Sequence, residues 1–206
     1  MKLYFSPMSC ALACRIVALE AGINLDYVRV DFTSGNVIGS EVKIGDISRM
    51  GRVPILELDD GSLLTENAAV LQYLDEFRVT RKIKDPSNQF DRFRLYEALS
   101  FVGTELHKAY LFPVFSKHAT DASREFAQGN IRHSLNALEG TLFRKNFYVG
   151  DHFSVADAYL VWALILIQSS GYKLAEFSEL NKYYNRMLQR ESVLAATKIE
   201  RELYNS

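Results

Sequence analysis

Strand-like patterns are confined to the first third of this chain, and that confinement narrows the possible folds more than any other feature. Residues 2–5 (KLYF) form a short apolar stretch closed by Ser6-Pro7, and residues 25–30 (LDYVRV) alternate in a β-branched and aromatic pattern. Between them Ala11 to Ala21 (ALACRIVALEA) has helical composition and ends at Gly22, a residue suited to the left-handed turn after a helix. Strand, helix and strand joined by a crossover predict a parallel βαβ unit. Residues 31–47 carry Gly35, Gly39 and Gly45 and read as a loop with one short helix. Two further strands flank Asp59-Asp60-Gly61 as a hairpin. Pro54 opens the first of them, where its missing N–H is tolerated, and a cis Val53-Pro54 bond there costs only about 0.5–1 kcal/mol. Thr65 is expected to cap a helix over 66–77, in which Ala69, Val70, Tyr73, Leu74 and Phe77 recur at helical spacing.

After residue 89 the alternation is gone. Amphipathic stretches follow near 89–117, 121–144, 154–170, 176–190 and 192–203, so the second part is expected to be all helix. Residues 79–88 are polar, contain Pro86 and lack periodicity, which marks a linker between domains at 1–78 and 89–206. The expectation is a two-domain α+β chain, βαβ-ββα followed by a helical bundle. Ser154 and Asp157 have the spacing of a capping box ahead of an apolar run, Ala158 to Ile167. That run is about half of what crosses a bilayer and reads as a buried core helix.

Charge excludes several functions. Lysine and arginine number 24 against 25 aspartate and glutamate, giving a net charge of −1 with no like-charge run. Nucleic acid and anionic membrane therefore have no electrostatic basis as main partners. The N-terminus lacks the pattern of an export signal. The two cysteines, Cys10 and Cys14, lie in one helix and cannot staple a fold, so a reducing, cytoplasmic setting is expected. Cys10 stands where the Ser6-Pro7 turn hands over to a helix, and a helix start favours thiolate over thiol. Packing as a small hydrophobe is the other reading of Cys10, and the expected role of Cys14 one turn on. His118, His133 and His152 have no partner at metal-ligand spacing, and no metal site is expected.

Four segments, KLYFSPMSCALA, MGRVPILELDDGSLLTENAAVLQYL, ELHKAY at 105–110 and GDHFSVADAYL at 150–160, resemble the cytosolic glutathione transferases in order and spacing, most closely the bacterial beta class. The resemblance implies a thioredoxin-like first domain, an all-helical second domain, a homodimer, and glutathione bound as co-substrate in the cleft between domains. It implies that Cys10 bonds or approaches the glutathione sulfur and that Val53, ahead of Pro54, pairs its backbone with the cysteinyl part. Glu66 would meet the γ-glutamyl ammonium, and the Asn67 N–H its carboxylate. His107 would face the thiol site, with Ser100 and Lys108 as further glutathione contacts. Tyr110, Phe112 and Phe115 are candidates for the electrophile pocket, whereas Ser154 and Asp157 are assigned to structure.

The implied function is conjugation of the glutathione thiol to small electrophiles in detoxification, with a Cys10-dependent thiol–disulfide reductase as a second chemistry. A non-catalytic binding protein on the same fold, of the stringent-starvation regulator or ligand-carrier kind, is the alternative. Some positions depart from the beta-class pattern: Ala11 replaces a serine, Arg49-Met50 a Pro-Lys pair, and Ser100 an asparagine. The loop at 33–40 lacks the lysine expected to reach the glycyl carboxylate, which leaves Lys43 or Arg52 to substitute. Loss of one charge-assisted contact weakens binding by about 1.5–3 kcal/mol.

Overall fold

The structure, a computed structural model, describes residues 1–80, 82–83 and 88–206. These fall into two compact units, one formed by the N-terminal residues through Ile83 together with Glu191–Ser206, the other by the described residues from 88 to Arg190. Contacts thus group the last helix with the first unit, whereas the sequence-based division had carried it with the helices of 89–206. The expected linker, 79–88, lies partly outside the described residues.

In the first unit, β1 (Lys2–Phe5), β2 (Asp26–Arg29), β3 (Ile55–Glu57) and β4 (Leu63–Thr65) form one sheet in the order β2-β1-β3-β4. β1 and β2 are parallel, as the crossover through α1 (Ala11–Ala21) requires, and β3 runs antiparallel to both β1 and β4. Register sorts the side chains onto two faces. Leu3 pairs with Leu56 and Tyr4 with Ile55, so alternation along each strand puts Leu3 and Phe5 on one face and Tyr4 on the other. Tyr4 and Ile55 pack with Val30, Val37 and Ile44, the last from α2 (Ile44–Ile47). On the opposite face the α1 residue Arg15 lies over the Phe5 and Tyr27 rings.

Helix α3 differs from expectation at its start. It spans Asn67–Glu76, and Thr65 is the last residue of β4 rather than a cap. Glu66 takes the cap position with φ 69° and makes no side-chain capping bond, because the chain must turn sharply from strand to helix within one residue. A non-glycine residue in that region costs about 1–3 kcal/mol.

Gly22 ends α1 in the left-handed conformation, φ 71°, with its N–H bonded to the Ala18 carbonyl. The chain after α3 returns to this point, where the Val79 and Thr80 N–H groups donate to the Ala21 carbonyl and the Thr80 hydroxyl donates to the Glu20 carbonyl. A Cβ on Gly22 would come within 2.7 Å of the Thr80 methyl, which those bonds hold in place. Gly22→Ala is therefore expected to cost about 1–3 kcal/mol, from the left-handed penalty plus the clash, read as a lower urea midpoint at unchanged slope. A midpoint within error of the parent's would refute this.

In the second unit α4 (Gln89–Phe101) continues through a π-helical segment, Val102–Leu111, into α5 (Phe112–Phe115). After it come α6 (Asp121–Leu142), α7 (Val155–Ser169), a 3-10 turn (Leu174–Glu176) and α8 (Ser178–Leu188). The apolar run forms the middle of α7, and Val155 to Ile165 are all buried. Among the described residues no helix is long and apolar enough to cross a membrane. The capping box of α7 is formed, but Asp157 does more than cap: its carboxylate accepts from the N–H and hydroxyl of Ser154, the Tyr148 N–H and the Tyr183 hydroxyl, all at 2.8–2.9 Å. Burial still holds that carboxyl above the ordinary range against these four donors. Finally α9 (Glu191–Tyr204) packs on α1 in the first unit.

Candidate active site

Within the first unit, the starts of α1 and α3 and the cis Val53–Pro54 bond define the candidate site. Cys10 occupies the cap position of α1, at the positive end of the helix, and its own carbonyl accepts from the Ala13 N–H. Its side chain is 6% exposed, and its Sγ–H points to the Val53 carbonyl at 3.7 Å. The cysteine and the residue ahead of Pro54 are therefore neighbours, although 43 positions separate them.

Cys14 is fully buried, and burial pushes its thiol well above the usual range, with the neighbouring Cys10 and Glu200 adding to the shift. Its S–H donates to Asn67 Oδ1 at 3.3 Å, which links α1 to the first residue of α3. Asn67 is 5% exposed, and among the described residues its Nδ2 is a buried donor with no partner. The first intrahelical bonds of α3 run from Ala69 and Val70 to the Glu66 carbonyl, so the Asn67 and Ala68 amides precede the ladder. Amides so placed, with the positive end of the helix, suit a carboxylate. Glu66 itself is exposed, as are Lys43 and Arg52.

The helical unit holds the remaining candidates. His107 lies in the π-helical segment, a conformation frequent at functional sites, and its Nδ1 meets the Tyr159 hydroxyl at 2.7 Å. The imidazole also packs edge-on against the Trp162 ring, 4.8 Å between centroids, so α7 fixes its orientation from two sides. Lys108 is exposed with its ammonium 5.7 Å from the Phe112 ring centre, and Ser100 is exposed on α4, its carbonyl accepting from the Thr104 hydroxyl. Phe112 and Phe115 are roughly half exposed, at 49% and 46%. Tyr110 differs from them: it is buried, and its hydroxyl pairs with the Ser170 hydroxyl at 2.8 Å. A separate open groove of about 670 Å³, lined among others by Phe90, Arg94, Thr141 and Tyr148, holds none of the candidate residues. Among the described residues no group of three or more His, Cys, Asp or Glu side chains could hold a metal ion.

Sequence reasoning missed several residues that hold these groups in place. Tyr159 and Trp162 sit inside an apolar run and gave no separate signal. Arg15 and Glu20 did carry one, being charged residues in a helix otherwise wholly apolar, and both are buried. Arg15 pairs with Glu200 and Glu20 with Ser192, both partners lying on α9.

Comparisons with known proteins bear on the family and the fold. Residues 104–191 match the family model described as the glutathione S-transferase C-terminal domain. The chain is 30% identical to the glutathione S-transferase GstA of Escherichia coli over 97% of its own length and 98% of that protein's. Among solved structures, a sphingomonad glutathione S-transferase complexed with glutathione superposes with a TM-score of 0.88 at 35% identity, covering 97% of this chain and 98% of the other. The bacterial beta class enzyme of Sphingomonas chungbukensis gives a TM-score of 0.88 at 36% identity, again over 97% and 98% of the two chains. With this sheet topology, this helical unit and this likeness over nearly its whole length, the chain belongs to the glutathione S-transferase family.

Proposed function

We propose that the chain binds glutathione as a co-substrate and conjugates its thiol to small electrophiles. The observation that carries this reading is the grouping, within one unit, of Cys10 beside the Val53 carbonyl with the amide-bearing start of α3, where Asn67 leaves a buried donor unpaired. That set suits an elongated peptide with a carboxylate at one end and a thiol further along. The α3 amides would take the γ-glutamyl carboxylate, Glu66 the ammonium, and the Val53 backbone the cysteinyl part. The protein's contribution is to orient the glutathione sulfur and favour its ionised form, so that it attacks the electrophile without the entropic penalty of a free encounter. From the helical unit, His107 and Lys108 are assigned to the same reaction, His107 with its ring held by Tyr159. Ser100 and the electrophile-pocket candidates Tyr110, Phe112 and Phe115 are proposed on resemblance, and Tyr110 is the weakest of them because it is buried. A homodimer is proposed on the same ground.

A second chemistry is favoured by one observation. Cys10 is a reduced cysteine at a helix start, the setting that makes cysteine nucleophilic. In that chemistry the Cys10 thiolate attacks the glutathione sulfur of a mixed disulfide, breaking its S–S bond and releasing the substrate as a thiolate, and a second glutathione thiolate then attacks the Cys10–glutathione disulfide, leaving as glutathione disulfide and regenerating the Cys10 thiolate.

Retention on immobilised glutathione, together with turnover of a generic electrophile, tests the main reading. Both are expected; failure of both would favour a non-catalytic binding protein.

A further inference from the structure

The loop that delivers Cys10 is held from the far end of the chain. Its outer side is fixed locally, since the Ser6 hydroxyl donates to the Val30 carbonyl and the Ser9 N–H to the Ser6 carbonyl. Met8, two residues before Cys10, has φ 61°, a left-handed conformation unusual for a side chain that is neither glycine nor asparagine. Its N–H donates to Glu200 Oε2 at 2.7 Å across 192 positions of sequence. The other oxygen of the same carboxylate accepts from Arg15 Nε at 2.9 Å. Arg15 stands five positions after Cys10 on α1, its guanidinium 3.6 Å from the Tyr27 ring centre and its Nη2 without a hydrogen-bond partner among the described residues. One carboxylate, itself fully buried, therefore grips the chain on both sides of the cysteine.

We propose that Glu200 on α9 is a positioning residue for the Cys10 turn, holding the strained Met8 backbone so that the thiol stays at the start of α1. This deepens the proposed role of Cys10 and rests on it. A buried ion pair alone would be explained as packing between α1 and α9. The bond to Met8 is not, because it ends on the backbone of the loop rather than on a helix. Its acceptor can be an amide oxygen as well as a carboxylate, which separates positioning from charge. The ionisable groups that face one another around the turn include Cys10 and Cys14, Arg15, Tyr27 on β2 and Glu200 on α9.

Two double variants test the inference. Arg15→Met with Glu200→Gln removes both charges but leaves an acceptor for the Met8 N–H; Arg15→Met with Glu200→Met removes the acceptor as well. Because both lose the same charges, any difference between them is not Coulombic. The readout is the midpoint of the pH–rate profile for alkylation of Cys10 by iodoacetamide, which reports thiolate formation separately from access. The Gln-bearing double is expected to keep the parent midpoint. In the Met-bearing double the midpoint should rise by about one pH unit, as the thiol leaves the helix start. Equal midpoints in the two doubles would overturn the proposal. If the Met-bearing double does not fold, Glu200→Asp replaces it; being one methylene shorter and still ionised, it cannot reach both partners. The same rise is expected, and an unmoved midpoint again overturns the proposal. Alkylation does not involve glutathione, so failure of the glutathione reading would show separately, as lost retention on immobilised glutathione with the midpoint difference intact.

Discussion

Asp157→Ala is expected to lower the stability of the helical unit by about 3–5 kcal/mol, among the largest effects a single substitution produces. The reason is the number of groups orphaned at once. The Ser154 N–H and hydroxyl, the Tyr148 N–H and the Tyr183 hydroxyl all end on this carboxylate. Tyr148 and Tyr183 come from outside α7, so the carboxylate fastens the preceding loop and α8 to the helix start. Tyr183 is 1% exposed, and its hydroxyl would find no water to replace the lost partner. Tyr183→Phe removes one donor together with its need for an acceptor, and is expected to cost about 1 kcal/mol. The chain has one tryptophan, Trp162, buried in α7, so its fluorescence follows the unfolding of this unit. A denaturant midpoint from Trp162 that moves no more for Asp157→Ala than for Tyr183→Phe would show that the residue is a cap and nothing more.

The contrast between Asp157 and Glu200 shows what local sequence can carry. The Ser154–Asp157 spacing is a pattern within four residues, and the structure forms it. The strands were legible for a similar reason: LDYVRV alternates, and Asp60-Gly61 names its own turn. Glu200 lies in an ordinary amphipathic helix, and nothing near it in sequence points to Met8 or to Arg15. The available hint was on the other side, since α1 is apolar except for Arg15 and Glu20, and two buried charges in such a helix require partners. The same limit explains Glu66. A helix signal began there, and a threonine before it suggested a cap, but β4 consumes Thr65 and leaves one residue to make the turn. The π-helical segment carrying His107 had no local signature either. Its register change is felt through packing against neighbouring helices, among them α7, where Tyr159 and Trp162 meet the imidazole. Local elements were thus readable, while the long-range bonds that aim the candidate groups were not.

Cys10→Ala should separate the two proposed chemistries. Thiol–disulfide turnover requires a sulfur on the protein to accept the glutathionyl group, so it is expected to fall by at least about 10³-fold, as for removal of other covalent nucleophiles. Conjugation uses the sulfur of glutathione itself, and the Val53 backbone and the start of α3 remain, so it should survive in part. Cys14 cannot stand in. It is fully buried, its thiol is pushed up by burial and by the charges of its neighbours, and its S–H is engaged by Asn67. One fast-reacting thiol per folded chain is therefore expected on alkylation, and none in Cys10→Ala. Undiminished reductase turnover in that variant would remove the covalent role. Loss of conjugation together with reductase activity, in a variant that still binds glutathione, would instead make the Cys10 sulfur, held beside the Val53 carbonyl, necessary for ionising the bound thiol.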